Sequence, residues 1–137
     1  MEESFGIIPL KKEKDKYFVF LVKLKSGNHF GFPKGHKNAN ETSLETAKRE
    51  LFEETNLEIS ELISDQFLTE KYFLTKNGKK IEKKVIYFIS FVKGKEKLDN
   101  NEILEGFWVP IEDAKKIITY ESSKKIVDEI FKIMETL

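Results

Sequence analysis

The segment that most constrains the fold is RELFEE, residues 49–54, which lies inside a predicted helix. A helix advances by about 100° per residue, so Glu50, Glu53 and Glu54 fall within an arc of roughly 100°. The neighbouring arc carries three apolar residues, Leu44, Ala47 and Leu51. The chain must therefore bury one side of this helix while crowding three carboxylates beside the buried stripe.

These carboxylates have two interpretations. Like charges at such spacings repel, and each close pair destabilises a helix by a few tenths of a kcal/mol. The segment is either a solvated face, the default in a chain that is 35% charged, or a site for a divalent cation. Mg²⁺ suits the second interpretation, because it prefers carboxylate oxygens and shares its shell with substrate phosphates. Arg49 lies four residues before Glu53 and is placed to orient it.

The spacing around this segment favours the cation site. Gly35 is followed by five residues and Glu41, then by seven residues and RELFEETNL, which ends at Leu57. This pattern resembles the Nudix box. Asn56 stands where the family has its last glycine, and asparagine tolerates the left-handed conformation of a helix end. The preceding FGFPKGH, residues 30–36, is similar to the entry of the box in the diadenosine tetraphosphate hydrolase branch.

Composition narrows the remaining possibilities. At 137 residues the chain is predicted to form one domain, residues 1–137, with a substantial core. It has no cysteine, which excludes disulfides and thiolate chemistry. No signal peptide or membrane-spanning run is found, so we expect a cytoplasmic protein without a membrane partner. Lys+Arg and Asp+Glu both number 24, so nucleic acid is not expected as a partner, apart from an RNA 5′ end.

The order of elements predicts an α/β protein with a mixed sheet. Apolar, β-prone segments predict strands at residues 4–10, 17–24, 57–63, 67–74, 83–93 and 102–109. Asn77-Gly78 predicts a tight hairpin turn between two of them. Helices are predicted from Thr42 or Ser43 to Thr55, briefly after Pro110, and at residues 121–137. The resemblance implies the Nudix fold, an α/β/α sandwich.

The resemblance also implies roles for the acidic residues. Glu50 and Glu54 would be metal ligands, Glu53 would assist the metal or the attacking water, and the Gly35 carbonyl would join the shell. The catalytic set would then comprise Glu53, Glu54, Arg49 and Glu102, and Glu41 would support Arg49 or an outer metal. The cofactor would be Mg²⁺, with Mn²⁺ as the alternative cation.

Glu102 is included because the family often completes its site with an acidic residue from a later loop. Glu102 and Glu105 are the candidates that precede the strand containing Trp108. We favour Glu102 as the residue that completes the site or serves as the base. The alternative is an ordinary exposed loop glutamate.

Most substrate-binding candidates follow from the same resemblance. His29 and Lys34 would contact phosphate oxygens, although an isolated histidine is also common as a structural residue. Lys83 is a candidate from strand alternation rather than from the resemblance: it shares a predicted strand face with Tyr87 and is favoured as a phosphate contact, and its alternative role is to protect an exposed sheet edge. Tyr87 and Tyr120 match positions that stack a purine in the diadenosine tetraphosphate hydrolase branch. For Tyr87 the alternative is core packing.

Three functions remain open at this point. The first is an asymmetric bis(5′-nucleosyl)-tetraphosphate hydrolase that gives ATP and AMP by attack of water on phosphorus. The second is another Nudix pyrophosphohydrolase, acting on RNA 5′-triphosphates, nucleoside triphosphates or diphosphoinositol polyphosphates. The third is a non-catalytic Nudix-fold binding module. In each case the partner is a small-molecule nucleotide or a related phosphate compound, and the sequence leaves the oligomeric state open.

Overall fold

A computed structural model describes residues 1–25 and 27–137. Its strands are β1 (Glu2–Glu13), β2 (Lys16–Leu24), β3 (His29–Gly31), β4 (Lys34–Gly35), β5 (Glu58–Lys76), β6 (Lys79–Lys93) and β7 (Ile103–Pro110). Its helices are α1 (Ser43–Thr55), α2 (Ala114–Ile117) and α3 (Glu121–Met134), with a 3₁₀ turn over Ile111–Asp113.

The strands form one mixed sheet, as predicted. The order along it is β3-β2-β1-β6-β5, with β4 paired to β1 and β7 paired to β2. The β1–β6 pairing is parallel, whereas β1–β2 and β5–β6 are antiparallel. Strands β1 and β4, which both contact α1, therefore pair with each other beside the parallel β1–β6 pairing at the centre of the sheet.

Alternating residues of the central strands enter two separate cores, because a strand points successive side chains to opposite faces. In β1, Ile8 packs in the core that includes Ile130 of α3. Its neighbour Ile7 packs in the core that includes Leu51 of α1. Burial on both faces explains why these strands are almost continuously apolar. The arrangement is the predicted α/β/α sandwich.

The long β5–β6 hairpin corrects one prediction. Segments 57–63 and 67–74 were predicted as separate strands, but they belong to the single strand β5. Register shifts near Ile59 and between Leu62 and Phe67 interrupt the pairing with β6 without ending the strand. Such bulges add unpaired residues to one strand, which lets it bend. The predicted turn is confirmed, since Asn77 and Gly78 have φ values of 51° and 76°.

Helix α3 packs on the sheet through the predicted apolar stripe. Ile126 and Ile130 are 1% and 0% exposed, respectively. Leu137, also predicted to lie on the stripe, is 60% exposed because α3 ends at Met134. Among the residues that the structure describes, no helix is both long and apolar enough to cross a membrane.

Candidate active site

Helix α1 begins and ends where the sequence predicts. Thr42 and Glu45 form a reciprocal capping box, with the Glu45 amide donating to Thr42 Oγ1 at 3.1 Å. Asn56 ends the helix in the left-handed conformation, with φ of 67°. The side of α1 bearing Ala47 and Leu51 is fully buried. This packing fixes the rotation of the helix and so sets the direction of Glu50 and Glu54.

Three carboxylates converge at this point, and we call them the acidic cluster: Glu50, Glu54 and Glu102. One carboxylate oxygen from each lies within 4.8 Å of the others. Glu54 is only 1% exposed. Neither of its oxygens has a hydrogen-bond partner among the described residues. Burying a carboxylate without hydrogen-bond partners destabilises the folded state, so this cluster suits a bound group that supplies positive charge.

The pKa values of two cluster carboxylates also favour a cation site. Burial, and then the neighbouring Glu50 carboxylate, raise the pKa of Glu54 well above its ordinary value. Burial also raises the pKa of Glu102, and Glu50 raises it further. Glu54 and Glu102 thus resist ionisation beside the neighbouring carboxylates. A hard divalent cation with oxygen ligands fits this donor set, and Glu50, Glu54 and Glu102 are the residues that would hold it.

Gly35 lies directly against the cluster. Strand β4 is held in place because Gly35 pairs with Phe5 and Lys34 pairs with Gly6 of β1. A Cβ atom at position 35 would lie 2.0 Å from the carboxyl carbon of Glu50. Only glycine permits this approach of backbone to carboxylate. The role of its carbonyl as a metal ligand stays a prediction.

Arg49 holds the outer side of the cluster in place. Its Nη1 donates to Glu50 Oε1 at 2.9 Å, and its Nε donates to Glu41 Oε2 at 2.7 Å. Its Nη2 also donates to the His36 carbonyl at 2.8 Å. The guanidinium is therefore committed to protein partners. In this conformation Arg49 positions Glu50 and is supported by Glu41, and its predicted catalytic role stays a prediction.

Glu53 lies apart from the acidic cluster. Its side chain is 53% exposed and receives Arg49 Nη1 at 3.1 Å. It lines a shallow surface depression with Phe52 and Asn56 rather than the cleft. In this conformation Glu53 is not a cluster member, so its predicted role toward metal or water stays a prediction.

Glu102 is the later-loop carboxylate that reaches the cluster. Its backbone is fixed by bonds from Lys25 N to Glu102 O at 2.9 Å and from Glu102 N to Asp99 O at 3.2 Å. The alternative candidate, Glu105, lies on β7 and pairs with Lys23 at 3.8 Å. The geometry therefore distinguishes two glutamates that the sequence left as alternatives.

Three lysines, Lys25, Lys34 and Lys83, line the cleft that contains the acidic cluster, which has a volume of about 500 Å³. Lys34 and Lys83 line this cleft and also an adjoining recess of about 530 Å³. Burial lowers the pKa of both, and for Lys83 the nearby charge of Lys34 lowers it further. Two partly desolvated cations thus lie between the two cavities.

The adjoining cavity, which we call the aromatic recess, is lined by the rings of His29, Tyr72 and Tyr120. Tyr72 and Tyr120 stack with centroids 5.9 Å apart and planes inclined by 23°. His29 lies on Tyr120 with centroids 4.7 Å apart. Burial lowers the pKa of His29, which favours a neutral ring. Flat aromatic surfaces at this spacing suit the stacking of another ring.

Tyr87 requires a correction. It was predicted to stack on a base opposite Tyr120, but it is 1% exposed and packs edge-on against Phe32 at 5.3 Å. Tyr87 and Lys83 lie on the same face of β6, as predicted, and at Tyr87 that face is buried in the core. The ring that stacks with Tyr120 in the aromatic recess belongs to Tyr72 instead. The sequence held a usable signal, since counting across the Asn77-Gly78 turn places Tyr72 opposite Lys83, and the two residues do pair.

The comparisons with known proteins agree with this geometry. The NUDIX domain model matches residues 2–130. The asymmetrical bis(5′-nucleosyl)-tetraphosphatase of Mus musculus is 30% identical over 126 residues, which cover 90% of this chain and 84% of that protein. The putative mutator protein MutT4 of Mycobacterium tuberculosis is 28% identical over 79% of this chain, which spans only 43% of that protein.

A solved structure shows the same fold. The C. elegans Ap4A hydrolase binary complex superposes with a TM-score of 0.82, at 23% identity and with both chains fully covered. The family match and the 30% identical mouse relative confirm the resemblance predicted from the Gly35–Leu57 segment, and the C. elegans structure confirms the fold. Because the family match extends over residues 2–130, the chain belongs to the NUDIX domain family.

Proposed function

We propose that this Nudix hydrolase cleaves a bis(5′-nucleosyl) tetraphosphate asymmetrically, diadenosine tetraphosphate giving ATP and AMP, with Mg²⁺ as cofactor and Mn²⁺ as the alternative. One observation carries the proposal: Lys34 and Lys83 line both the acidic cleft and the aromatic recess. A substrate with a polyphosphate chain and a base would occupy both cavities at once. The lysines would lie along the charged part that joins them.

The substrate class draws support from the relatives. The mouse protein named asymmetrical bis(5′-nucleosyl)-tetraphosphatase matches 90% of this chain. The aromatic recess adds a separate argument, since base stacking is what distinguishes a nucleotide from a phosphate compound without a base. Diphosphoinositol polyphosphates would leave these rings unused.

The cation would be held by Glu50, Glu54 and Glu102, with the Gly35 carbonyl as a further candidate ligand. When bound, it would neutralise charge on the phosphate oxygens near the reacting phosphorus. It would also remove the cost of the unpartnered Glu54 carboxylate. Arg49 and Glu41 would keep the Glu50 carboxylate in its place throughout.

The remaining residues orient the reactants. Lys34 and Lys83 would hold the phosphates that do not react, while Tyr72, Tyr120 and His29 would hold one base. Water would attack phosphorus, and the bridging oxygen would leave with the electron pair of the broken P–O bond. We assign the water proton to Glu102, because it is the most exposed of the three cluster carboxylates and only one of its two oxygens is needed in the cluster.

A substrate panel tests this proposal. The purified protein with Mg²⁺ would be given diadenosine tetraphosphate, ATP, an RNA 5′-triphosphate and a diphosphoinositol polyphosphate, in water enriched in ¹⁸O. We expect the highest kcat/KM for diadenosine tetraphosphate, with ATP and AMP as products and one ¹⁸O in one of them.

Other outcomes would overturn parts of the proposal. A higher kcat/KM for one of the other compounds would move the chain to that substrate class within the family. Tight binding of diadenosine tetraphosphate with no turnover in Mg²⁺ or Mn²⁺ would indicate a binding module. Hydrolysis unaffected by a chelator would remove the cation from the reaction.

A further inference from the structure

A second buried carboxylate lies outside the acidic cluster. Glu70, on β5, is 3% exposed. No ion pair involving it is found in residues 1–25 and 27–137 of the structure. Instead it accepts three hydroxyl groups, from Ser122 at 2.5 Å, Ser123 at 2.6 Å and Tyr87 at 3.3 Å. A buried charge kept by short hydroxyl bonds fixes its partners in direction as well as distance.

Two of these partners lie in the first turn of α3. The helix begins after Tyr120, whose side chain makes no capping hydrogen bond. The Ser123 and Lys124 amides donate to the Tyr120 carbonyl at 3.1 and 3.0 Å, so the backbone of Tyr120 is bonded to this turn. Negative charge at a helix N-terminus is favourable. Glu70 therefore ties the start of α3 to strand β5.

The same strand face also carries the other ring. Tyr72 follows Glu70 by two residues, so both side chains point to the face of β5 that turns toward α3. One ring of the aromatic recess is thus built on β5, and the other is tied to β5 through Glu70. The centroids of the Tyr72 and Tyr120 rings lie 5.9 Å apart, one ring at each end of this connection.

Stability alone gives no reason for a charge here. Replacing a buried, hydrogen-bonded charge and its partners by apolar groups of similar volume is often neutral or stabilising. What the three hydroxyl bonds to Glu70 provide is a fixed orientation of the residues that make them. The residue that benefits from it is Tyr120, the exposed end of this connection, at 40% exposure.

We propose that Glu70 is a positioning residue for base recognition: through Ser122 and Ser123 it holds Tyr120 at the distance from Tyr72 that base binding requires. The inference rests on the proposed function, because it gives the aromatic recess the role of base site. Glu70 touches no substrate itself. Its effect is on the KM of substrates that carry a base.

The test compares Glu70→Gln, Tyr120→Ala and the double variant with diadenosine tetraphosphate. Glutamine keeps the size of Glu70, but its amide N–H₂ would face hydroxyl donors. We expect Y120A to raise KM about tenfold, the scale of one base-stacking contact. We expect E70Q to raise KM about fivefold with kcat within about twofold, since it misplaces the ring without removing it. In the Y120A background, E70Q should add nothing.

A second pair of variants covers the case in which E70Q does not fold. Ser123→Ala removes one donor and leaves the carboxylate in place, and it should raise KM in the same direction. Ser90→Ala is the matched control, because Ser90 is also a buried serine whose hydroxyl is hydrogen-bonded, but it lies on β6 and bonds to the Glu61 and Phe91 carbonyls. S90A should leave KM unchanged.

The outcomes separate the inference from the proposed function. If Y120A raises KM and neither E70Q nor S123A does, Glu70 has no positioning role. Additive effects of E70Q and Y120A on KM would also overturn it, since Glu70 would then act by another route. If Y120A itself leaves KM unchanged, the recess is not the base site and both proposals fall.

Discussion

At the scale of single residues, the site depends on how closely backbone and side chains approach the acidic cluster. Gly35 admits Glu50 only because it lacks a Cβ atom. Glu54 is buried without a partner in the described part of the chain. A bound divalent cation would account for both the crowding of Gly35 against Glu50 and the burial of Glu54. Each can be tested by a change of one or a few atoms.

Gly35→Ala tests the close approach. The added methyl group would displace the Glu50 carboxylate, and a shift of about 1 Å at a reacting group can lower turnover by about a hundredfold. We expect kcat to fall about a hundredfold or more with the fold retained, measured by initial rates and circular dichroism. Gly31→Ala is the matched control, because no heavy atom lies within 4 Å of its Cβ position. Equal losses in both variants would contradict the account.

Glu50→Gln tests the cation site by thermal unfolding. A ligand that binds only the native state stabilises it, by about 2.7 kcal/mol at a hundredfold excess over its Kd. We expect saturating Mg²⁺ to raise the Tm of the wild type, and to raise that of E50Q much less. The exposed Glu58→Gln serves as the control and should respond like the wild type. Equal shifts in wild type and E50Q would place the cation elsewhere.

At the scale of elements, helix α1 is joined to the loop before it by one ion-pair network. Glu41 accepts Arg49 Nε and Nη2, the Thr46 hydroxyl and the Asn38 amide. Arg49 in turn donates from Nη1 to Glu50 Oε1, so the network also positions Glu50. The sequence predicted the link between Glu41 and Arg49 from the family pattern. The contact of Arg49 with the His36 carbonyl depends on the path of the loop, which no side-chain pattern encodes.

The network should make stability depend on pH. The Arg49 guanidinium lowers the pKa of Glu41 to about 2, below its ordinary value. A depressed carboxyl pKa contributes stability that is present above the unfolded-state value, about 4.3, and is lost as pH falls toward 2. We expect Glu41→Gln to lower Tm at pH 7 and the gap to the wild type to narrow below pH 4.

The control for this experiment is Glu45→Gln. Glutamine also serves at the third position of a capping box, so E45Q should lose less Tm at pH 7 than E41Q. A gap between wild type and E41Q that stays constant from pH 7 down to pH 3 would show that the Glu41 charge contributes nothing.

At the scale of the whole molecule, much of the arrangement followed from periodicity and spacing. The apolar, β-prone runs of β1 and β2, the Asn77-Gly78 turn and the cap at Thr42 were sufficient to place most elements. Contacts between distant segments were not accessible in the same way. The partnership of Tyr72 with Tyr120 joins β5 to the start of α3, and the choice of Glu102 over Glu105 depends on one loop. Both depend on tertiary packing, which a local pattern does not specify.

The central claim is that one substrate spans the acidic cluster and the aromatic recess. The direct measurement is kcat and KM for diadenosine tetraphosphate with Glu54→Gln and Tyr72→Ala. E54Q should lower kcat by about a hundredfold or more, since it removes charge that holds the cation. It should leave Tm in the absence of metal unchanged or higher, because a buried carboxyl group that resists ionisation and has no hydrogen-bond partner is replaced by a neutral amide of the same size.

Y72A should change KM rather than kcat. It removes a stacking surface used equally before and during the reaction, so KM should rise about tenfold while kcat changes little. That split between the two variants is the result the account predicts. If Y72A leaves KM unchanged, or if E54Q keeps most of the wild-type kcat at saturating Mg²⁺, the two cavities do not act on one substrate.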